Sequence, residues 1–279
     1  MPTTADRAVS GGRNRPARVR RFLVRLAVPA VAALTWVLLT DVFHAIRPIF
    51  LPSPQNVFDE IHNLGPSLWT GLRISLEMVL LGFAIGGALG TSAGLLFGYS
   101  RLARDLFEST VDAIRPVPLF ALIPLFILWF GIGVRPQITL VAVGVFLVMS
   151  LTTIEAVRNV PDIYVRAALT LGASRTQAYR TVVLPAIVPM MLVGVRFAIA
   201  SAWGLDVAAE FTGSQQGLGY IMIVREESLD TAGIILIVFI FAALAIIADR
   251  AVRAATRHLT RWSGRQLDTG LVREMLGGH

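Results

Sequence analysis

Two carboxylates, Asp206 and Glu210, are the residues of this sequence best placed for acid–base chemistry. Their spacing of four residues puts both side chains on one face of a helix, and general acid–base catalysis commonly uses such groups. No basic or nucleophilic partner stands close to them in the sequence. The favoured interpretation is therefore a polar face near the outer end of a membrane pathway, or an ion pair with a neighbouring loop, with Arg225 or Arg73 as the expected partner.

A second pattern with chemical meaning is Gly90-Thr91-Ser92-Ala93-Gly94, which matches the nucleophile elbow of hydrolases. The elbow needs a preceding strand together with a histidine and an acid elsewhere, and this segment has the composition of an apolar helix. Glycine recurs every fourth residue here, at Gly82, Gly86, Gly90, Gly94 and Gly98. We predict that this glycine stripe packs against another helix of the same or of a paired subunit at backbone distance.

Composition excludes several other kinds of chemistry. All 25 basic residues are arginine, so the chain has no lysine for a P-loop or a Schiff base. It has no cysteine, and its four histidines (His44, His62, His258 and His279) are too scattered to form a ligand set. We expect no metal site, no cofactor bound by this chain and no ATP hydrolysis by it.

The elements that carry these residues are membrane helices. With 55% hydrophobic and 15% charged residues, the sequence predicts an all-α polytopic membrane protein of about six transmembrane helices. The predicted spans are residues 22–43, 72–98, 117–132, 138–154, 187–207 and 232–248. Residues 41–69 are expected to form an external connection with a short helix from Ser53-Pro54 to Ile61, and residues 211–231 an external loop with an amphipathic segment.

The two ends of the sequence are rich in arginine. Residues 1–21 are predicted to be a basic tail, and residues 249–279 a second arginine-rich tail with an amphipathic helix to Arg261. Arg20-Arg21 before an apolar run also imitates a twin-arginine export signal, but the run continues and further spans follow. Only Arg47, Arg73, Arg135 and Arg225 are assigned to the predicted external side. This bias predicts that both termini are cytoplasmic.

The third predicted span contains a proline, Pro124. A proline inside a membrane helix frees a backbone carbonyl and kinks the helix, which is tolerated where neighbours or a water-filled path satisfy the freed group. We therefore expect this helix to lie against a translocation path. The residues predicted to line that path are Pro124, Trp129, Trp203, Asp206 and Glu210.

One stretch, Asp162–Pro189, does not fit an apolar membrane helix. A helix that begins at Asp162 is predicted to end at Gly172 in a left-handed cap, and Ser174 with Gln177 forms a capping box for a second helix. A soluble DNA-binding helix-turn-helix is the alternative, since arginines are present, but the flanks supply membrane spans instead of a soluble domain. We therefore favour a loop that docks on a partner protein, and we expect no nucleic-acid partner.

This stretch resembles the "EAA" loop of ABC-importer permeases, which docks in a groove of the ATP-hydrolysing subunit. The resemblance rests on Ala167-Ala168, Gly172 and Val182-Val183-Leu184-Pro185, and Arg166 stands where that family usually has glutamate. It implies a cytoplasmic coupling loop over residues 155–186. The residues that it assigns to coupling are Arg166, Ala167, Ala168, Leu171, Gly172, Ala173, Ser174, Leu184 and Pro185.

Across most of the chain, the RPVPLFALIPLFILWFGIG run, the TLGAS turn and Gly217-Leu218-Gly219-Tyr220 resemble ABC-importer permeases of the nitrate/sulfonate/taurine type. The resemblance implies a type I importer fold in a bacterial inner membrane. The implied partners are an ATPase subunit, an external solute-binding protein and a second permease copy. Two alternatives stay open, an integral membrane enzyme that uses Asp206 and Glu210 or Ser92, and a secondary transporter.

Overall fold

The computed structural model describes residues 27–114 and 117–259 of the chain, and within these ranges it contains helices and no strand. The predicted all-α class is confirmed. The helices are α1 (Ala27–Val42), α2 (Pro54–Tyr99), α3 (Arg101–Ile114), α4 (Ile123–Phe130), α5 (Val134–Arg158), α6 (Asp162–Thr170), α7 (Arg175–Ala178), α8 (Leu184–Gly213), α9 (Leu218–Glu227) and α10 (Thr231–Leu259). A 3₁₀ turn, Leu119–Leu122, precedes α4, and a π-helical turn, Tyr179–Val183, joins α7 to α8.

Four helical stretches of the described chain are long and apolar enough to cross a membrane: Pro54–Tyr99, Val134–Arg158, Arg175–Gly213 and Thr231–His258. Two apolar stretches are shorter, Ala27–Val42 and Leu119–Phe130. The start predicted for the first span, residues 22–26, lies outside the described residues, as do both predicted basic tails except residues 249–259. Those residues continue α10 as one helix.

The prediction that Pro124 kinks the third span, residues 117–132, is wrong. Pro124 lies in the first turn of α4, where a missing N–H leaves no helical bond unmade, so it begins the helix instead of bending it. Gly131 (φ 77°) and Gly133 (φ 143°) then end the segment in conformations that glycine adopts readily. At about 1.5 Å per residue, Leu119–Phe130 is roughly 18 Å long, against about 30 Å for a bilayer core.

The prediction that the helix within residues 41–69 ends at Ile61 is also wrong. Helix α2 begins at Pro54, as expected, but it continues past Ile61 to Tyr99. It is interrupted only at Gly65, whose φ of 47° and ψ of −127° are not helical. Pro66 follows at once, and the residue before a proline is disfavoured in the helical region. Glycine absorbs the change of direction because it lacks a Cβ.

The described residues fall into two compact units, which divide the chain after Asn63, Val224 and Leu236. In the first unit, which comprises the part up to Asn63 and Arg225–Leu236, Trp36 Nε1 donates to the Pro52 carbonyl at 2.9 Å. Arg225 Nη1 lies 2.8 Å from an oxygen of Asp230 and 3.4 Å from an oxygen of Glu60. These contacts fix the ends of this unit's helices to one another.

The core of the second unit lies between α5 and α8. Its buried residues are Val79, Val141, Val145, Met149, Ala198, Ala202 and Trp203. The two helices approach closely at a small residue, because a Cβ on Gly194 of α8 would lie 2.9 Å from Cβ of Thr152 on α5. Small residues at helix crossings are the usual basis of tight packing in membranes, where no hydrophobic force drives helices together.

The glycine stripe of α2 lies along α5. A Cβ added to Gly82 would lie 2.6 Å from Cβ of Val141, and one added to Gly90 would lie 2.6 Å from the Phe146 carbonyl oxygen. Gly86 and Gly94 meet the same helix at similarly short range, and Gly98 meets Val157 at 3.3 Å. The stripe therefore packs within one chain. Ser92 lies inside α2 and is not on a strand-to-helix turn, so no nucleophile elbow forms there.

Candidate functional site

The turn between α6 and α7 forms as the sequence predicts. Gly172 has a φ of 89°, its N–H donates to the Leu169 carbonyl, and the Ala173 N–H donates to the Ala168 carbonyl. This is the Schellman pattern, which satisfies the last carbonyls of α6. Ser174 then caps α7: its Oγ accepts from the Gln177 N–H at 3.3 Å, and its own N–H donates to Gln177 Oε1 at 2.8 Å.

One face of α6 is apolar and uncovered. Ile163 is 67% exposed, Tyr164 is 58% exposed and Leu171, just past the helix, is 88% exposed. Ala167 is exposed between them. Ala168, which the resemblance assigned to coupling, is half-buried. Val165 is also half-buried and packs on the cluster of Ala156, Val183 and Ile187. We call Ile163, Tyr164, Ala167 and Leu171 the α6 face.

Arg166, at the position where glutamate was expected, is also exposed. Its Nη2 lies 3.9 Å from an Asp162 oxygen, and both side chains are about four-fifths exposed, at 78% and 80%. An ion pair this long and this solvated contributes little to stability. The guanidinium is therefore available to a carboxylate of another protein.

The other side of this loop is fixed to the membrane helices. The Tyr179 hydroxyl donates to the Leu95 carbonyl of α2 at 2.9 Å, and the Tyr179 ring meets the Tyr99 ring edge-on at 5.3 Å. Leu184 and Pro185 lie in the first turn of α8, directly after the π-helical turn. Because α7, that turn and α8 form one helical stretch, Arg175–Gly213, a movement of the loop moves α8.

The carboxylate of Glu210 lies in a closed hydrogen-bond network in the second unit. Glu210 Oε1 accepts from Ser75 Oγ at 2.6 Å, and Ser75 Oγ accepts from the Leu218 N–H at 2.9 Å. Glu210 Oε2 accepts from the Gly219 N–H. These bonds join α2, α8 and the start of α9, and Glu210 and Ser75 are both 0% exposed.

The glycines of the Gly217-Leu218-Gly219 run allow the backbone to close over this carboxylate. A Cβ on Gly217, whose φ is 102°, would lie 2.5 Å from Cδ of Glu210, and one on Gly219 would lie 2.7 Å from Cβ of Glu210. Any side chain at either position would displace the loop. The Gly217-Leu218-Gly219 run, part of the family resemblance, therefore has a direct packing role in this structure.

The expectation that Arg73 or Arg225 pairs with these carboxylates is wrong. Arg73 Nε donates to Glu77 at 2.7 Å on its own helix, and Arg225 pairs with Asp230. Asp206, one turn before Glu210, is 0% exposed, and neither of its oxygens has a hydrogen-bond partner among the described residues. Because both carboxylates are enclosed by protein, solute cannot reach them as acid or base in this conformation.

The five residues predicted to line a path are not brought to one surface. Trp129 is 62% exposed and Pro124 is exposed, whereas Trp203 is only 7% exposed and lies in the α5–α8 core with Asp206 and Glu210 close by on α8. The opposite side of α8 is open instead. Its exposed positions are Val193, Phe197, Ala200 and Gly204, which recur at helical spacing.

An ion pair between α8 and α10 was not predicted from the sequence. Arg196, inside the predicted fifth span, donates through Nε and Nη2 to Asp249 Oδ1 at 3.2 and 3.1 Å. Arg253, one turn further along α10, donates to Asp249 Oδ2 at 2.6 Å. A lone arginine in an apolar span was the available signal, because a charge there requires a partner. Among the described residues, no cluster of three or more His, Cys, Asp or Glu forms a metal site.

Comparison with known proteins places the chain in a family. A family model described as "Binding-protein-dependent transport system inner membrane component" matches residues 86–261. The taurine transport system permease protein TauC of Escherichia coli (strain K12) is 32% identical over 86% of this chain and 90% of its own length. The putative aliphatic sulfonates transport permease protein SsuC of E. coli (strain K12) is 35% identical over 88% of this chain and 95% of its own length. SsuC of Bacillus subtilis (strain 168) is 32% identical over 94% of this chain and 95% of its own length.

Solved structures agree in fold. A chain of the inward-facing MetNI methionine ABC transporter aligns with a TM-score of 0.55 and 23% identity, over 68% of this chain and 97% of that one. A chain of an amino acid ABC transporter aligns with a TM-score of 0.57 and 18% identity, over 72% and 98%. The chain therefore belongs to the inner membrane components of binding-protein-dependent transport systems, and it is the permease subunit of an ABC importer, whose partners are an ATPase subunit and a solute-binding protein.

Proposed function

We propose that this permease, paired with a second copy of itself, forms the translocation path for a small anion of the sulfonate, taurine or nitrate type that an external binding protein delivers. The relatives named for taurine and aliphatic sulfonates support a cargo of this class. The observation that carries the mechanism is the uncovered α6 face on a loop that continues directly into α8.

The α6 face is the proposed docking site of the ATPase subunit. Leu171, 88% exposed, and Ile163, 67% exposed, are costly to leave in water, so a protein surface is expected to cover them. Ala167 between them permits close approach, and Arg166 beside them offers a charge-assisted contact to an acidic residue. Gly172 and the Ser174 cap hold α6 and α7 at a fixed angle, so force applied to this face passes to Arg175–Gly213.

The exposed side of α8 is proposed to face the path and the second copy. Val193, Phe197, Ala200 and Gly204 lie along one side of the helix that the coupling loop moves. A Cβ on Gly204 would meet no described atom within 4 Å, so the residues that the structure describes leave this side open. Asp206 and Glu210 are assigned to the internal support of α8, because they point into the protein.

We further propose that the permease lies in the bacterial inner membrane with both termini in the cytoplasm, and that it binds no cofactor of its own. The orientation is supported by the distribution of arginine along the sequence. Reporters fused after His279 and inserted at Arg175 should give cytoplasmic signals, and one at Gln215 an external signal. An external signal at Arg175 would contradict this topology.

Co-purification of the ATPase with a Leu171→Ser variant tests the docking face. Loss of an exposed leucine from an interface should release most of the ATPase or uncouple hydrolysis from uptake, since a buried leucine contributes about 1.5–3 kcal/mol. The matched control is Leu229→Ser, the same change at a residue that is 68% exposed and lies between α9 and α10. Equal behaviour of the two variants would exclude the α6 face as the docking site.

Uptake by the complete importer tests the cargo. Labelled taurine, a short alkanesulfonate and nitrate should be compared in cells that express the permease with its ATPase and binding protein. Uptake of at least one of these anions is expected. Uptake of none, with ATPase binding intact, would refute the cargo class and leave the docking face standing.

A further inference from the structure

A cavity of about 520 Å³ lies between the coupling loop and the membrane helices, within the second unit. It is formed where the end of α2, the start of α3 and the end of α5 meet α6 and α7. Its walls include Val157, Leu169 and Tyr179. The cavity is distinct from the α6 face, which is on the opposite, uncovered side of the same helix.

Positive charge dominates the lining. Among the residues that the structure describes, three arginines from three separate elements line it, Arg104, Arg158 and Arg175, against one acidic residue, Asp162. Asp162 is 80% exposed, with its carboxylate near Arg166 at 3.9 Å. Bringing three guanidinium groups around one concavity costs repulsive energy, and a bound anion removes that cost.

These arginines are not neutralised by the described protein. The Arg104 side chain is only 17% exposed, and the Asp105 oxygen beside it is 3.9 Å away on a carboxylate that is 71% exposed, too long for a hydrogen bond. Neither Arg158 nor Arg175 makes an ion pair with any other residue that the structure describes. Arg158 and Arg175 are exposed, so an anion that enters the cavity can reach their guanidinium groups.

We propose that this cavity, which we call the arginine cavity, binds a tetrahedral oxyanion of the phosphate or sulfonate type. Guanidinium groups suit such oxyanions because their N–H donors match pairs of oxygens. The valine and leucine walls exclude water from one side, which strengthens the attraction and also accommodates an apolar substituent on the anion. A free anion and the headgroup of an anionic phospholipid share this chemistry.

Occupancy has a mechanical consequence for α6. Arg104 is on α3, Arg158 ends α5, and Arg175 begins α7, so an anion shared by all three ties the loop to the helices behind it. The binding itself does not depend on the identity of the cargo. Its effect on coupling rests on the docking role proposed above.

Thermal unfolding of the permease with its ATPase subunit, in nanodiscs of phosphatidylcholine, tests the proposal. Inorganic phosphate should raise the midpoint in a saturable way, or replacement of part of the lipid by phosphatidylglycerol should do so. The first result identifies a free anion and the second a lipid headgroup, and either supports the site. Arg104→Gln and Arg158→Gln should each raise the ligand concentration needed for half of the midpoint shift at least tenfold, since each removes charge-assisted hydrogen bonds.

The matched control is Arg180→Gln, which removes an exposed arginine of the same loop that does not line the cavity. Arg175→Gln is a further test variant for the case that Arg104→Gln fails to fold, because the Arg175 side chain is exposed and Arg104 is more buried. No shift with either ligand, or a shift that persists in the cavity variants, would overturn the proposal. So would an equal loss in Arg180→Gln, which would indicate general charge attraction.

Discussion

Replacing Gly90 by alanine tests the packing of the glycine stripe on α5. The new Cβ would lie 2.6 Å from the Phe146 carbonyl oxygen and 3.0 Å from both Phe146 Cα and Met149 Cβ. An ordinary contact begins near 3.4 Å, so α2 and α5 must separate by roughly 0.8 Å. Two of the three atoms are backbone and cannot rotate away. Overpacking of this kind costs about 1–3 kcal/mol.

A graded series separates this cost from the effect of alanine on helix formation. A Cβ on Gly87, one residue from the stripe on the adjacent side of α2, meets only Val145 at 3.9 Å, and one on Gly98 meets Val157 at 3.3 Å. Gly87→Ala should be neutral or stabilising by about 0.5–1 kcal/mol, as alanine favours a helix over glycine. Gly98→Ala should fall between Gly87→Ala and Gly90→Ala.

The measurement is the midpoint of thermal unfolding of the detergent-purified complex, obtained by heating samples and measuring the protein that remains intact by size-exclusion chromatography. A difference of about 2 kcal/mol between Gly87→Ala and Gly90→Ala corresponds to roughly 5 °C. The bulkier Gly90→Leu should abolish assembly. Equal midpoints for the two alanine variants, or normal assembly of Gly90→Leu, would mean that the two helices do not approach each other as described.

Two further predictions concern the coupling loop and the α8–α10 ion pair. Gly172→Val should leave the permease inserted but release the ATPase or uncouple hydrolysis from uptake, because valine disfavours the φ of 89° at this position and no described atom lies within 4 Å of the new Cβ. Gly172→Asn should retain uptake, since asparagine tolerates a positive φ. Normal uptake by Gly172→Val would refute a role of this turn in coupling. Arg196→Gln should lower the midpoint of thermal unfolding by the equivalent of about 1 kcal/mol. Arg253→Gln leaves the Arg196–Asp249 bonds in place and should lower the midpoint less. A larger decrease in Arg253→Gln than in Arg196→Gln would show that Arg253 is the main partner of Asp249.

Features with local causes were predictable from the sequence. The Schellman turn at Gly172 and the capping box of Ser174 and Gln177 depend on neighbours within a few residues, so residue types alone indicate them. The glycine stripe was equally predictable from the sequence, because residues spaced four apart lie along one side of a helix. Its partner, α5, was not specified, since α5 is apolar on all sides.

Features that depend on distant contacts were not predictable in this way. The Ser75–Glu210 bond joins residues 135 positions apart, and nothing near Glu210 in the sequence distinguishes a serine from an arginine as its partner. The buried and open sides of α8 are both apolar, so periodicity does not say which side faces protein. Pro124 was misplaced for a related reason: in a continuous apolar run, a proline that begins a helix and one that interrupts it look alike.

The hydrogen bonds around Glu210 give α8 a fixed point near one end, with the coupling loop at the other. A stiff helix held in this way acts as a lever whose fulcrum is the Ser75–Glu210–Gly219 network. At about 1.5 Å per residue, Arg175 lies roughly 52 Å from that fulcrum and Phe197 roughly 20 Å. A displacement of 1 Å at Arg175 about this fixed point would therefore displace Phe197 by about 0.4 Å, so the α8 geometry makes movements near Phe197 smaller than movements of the loop.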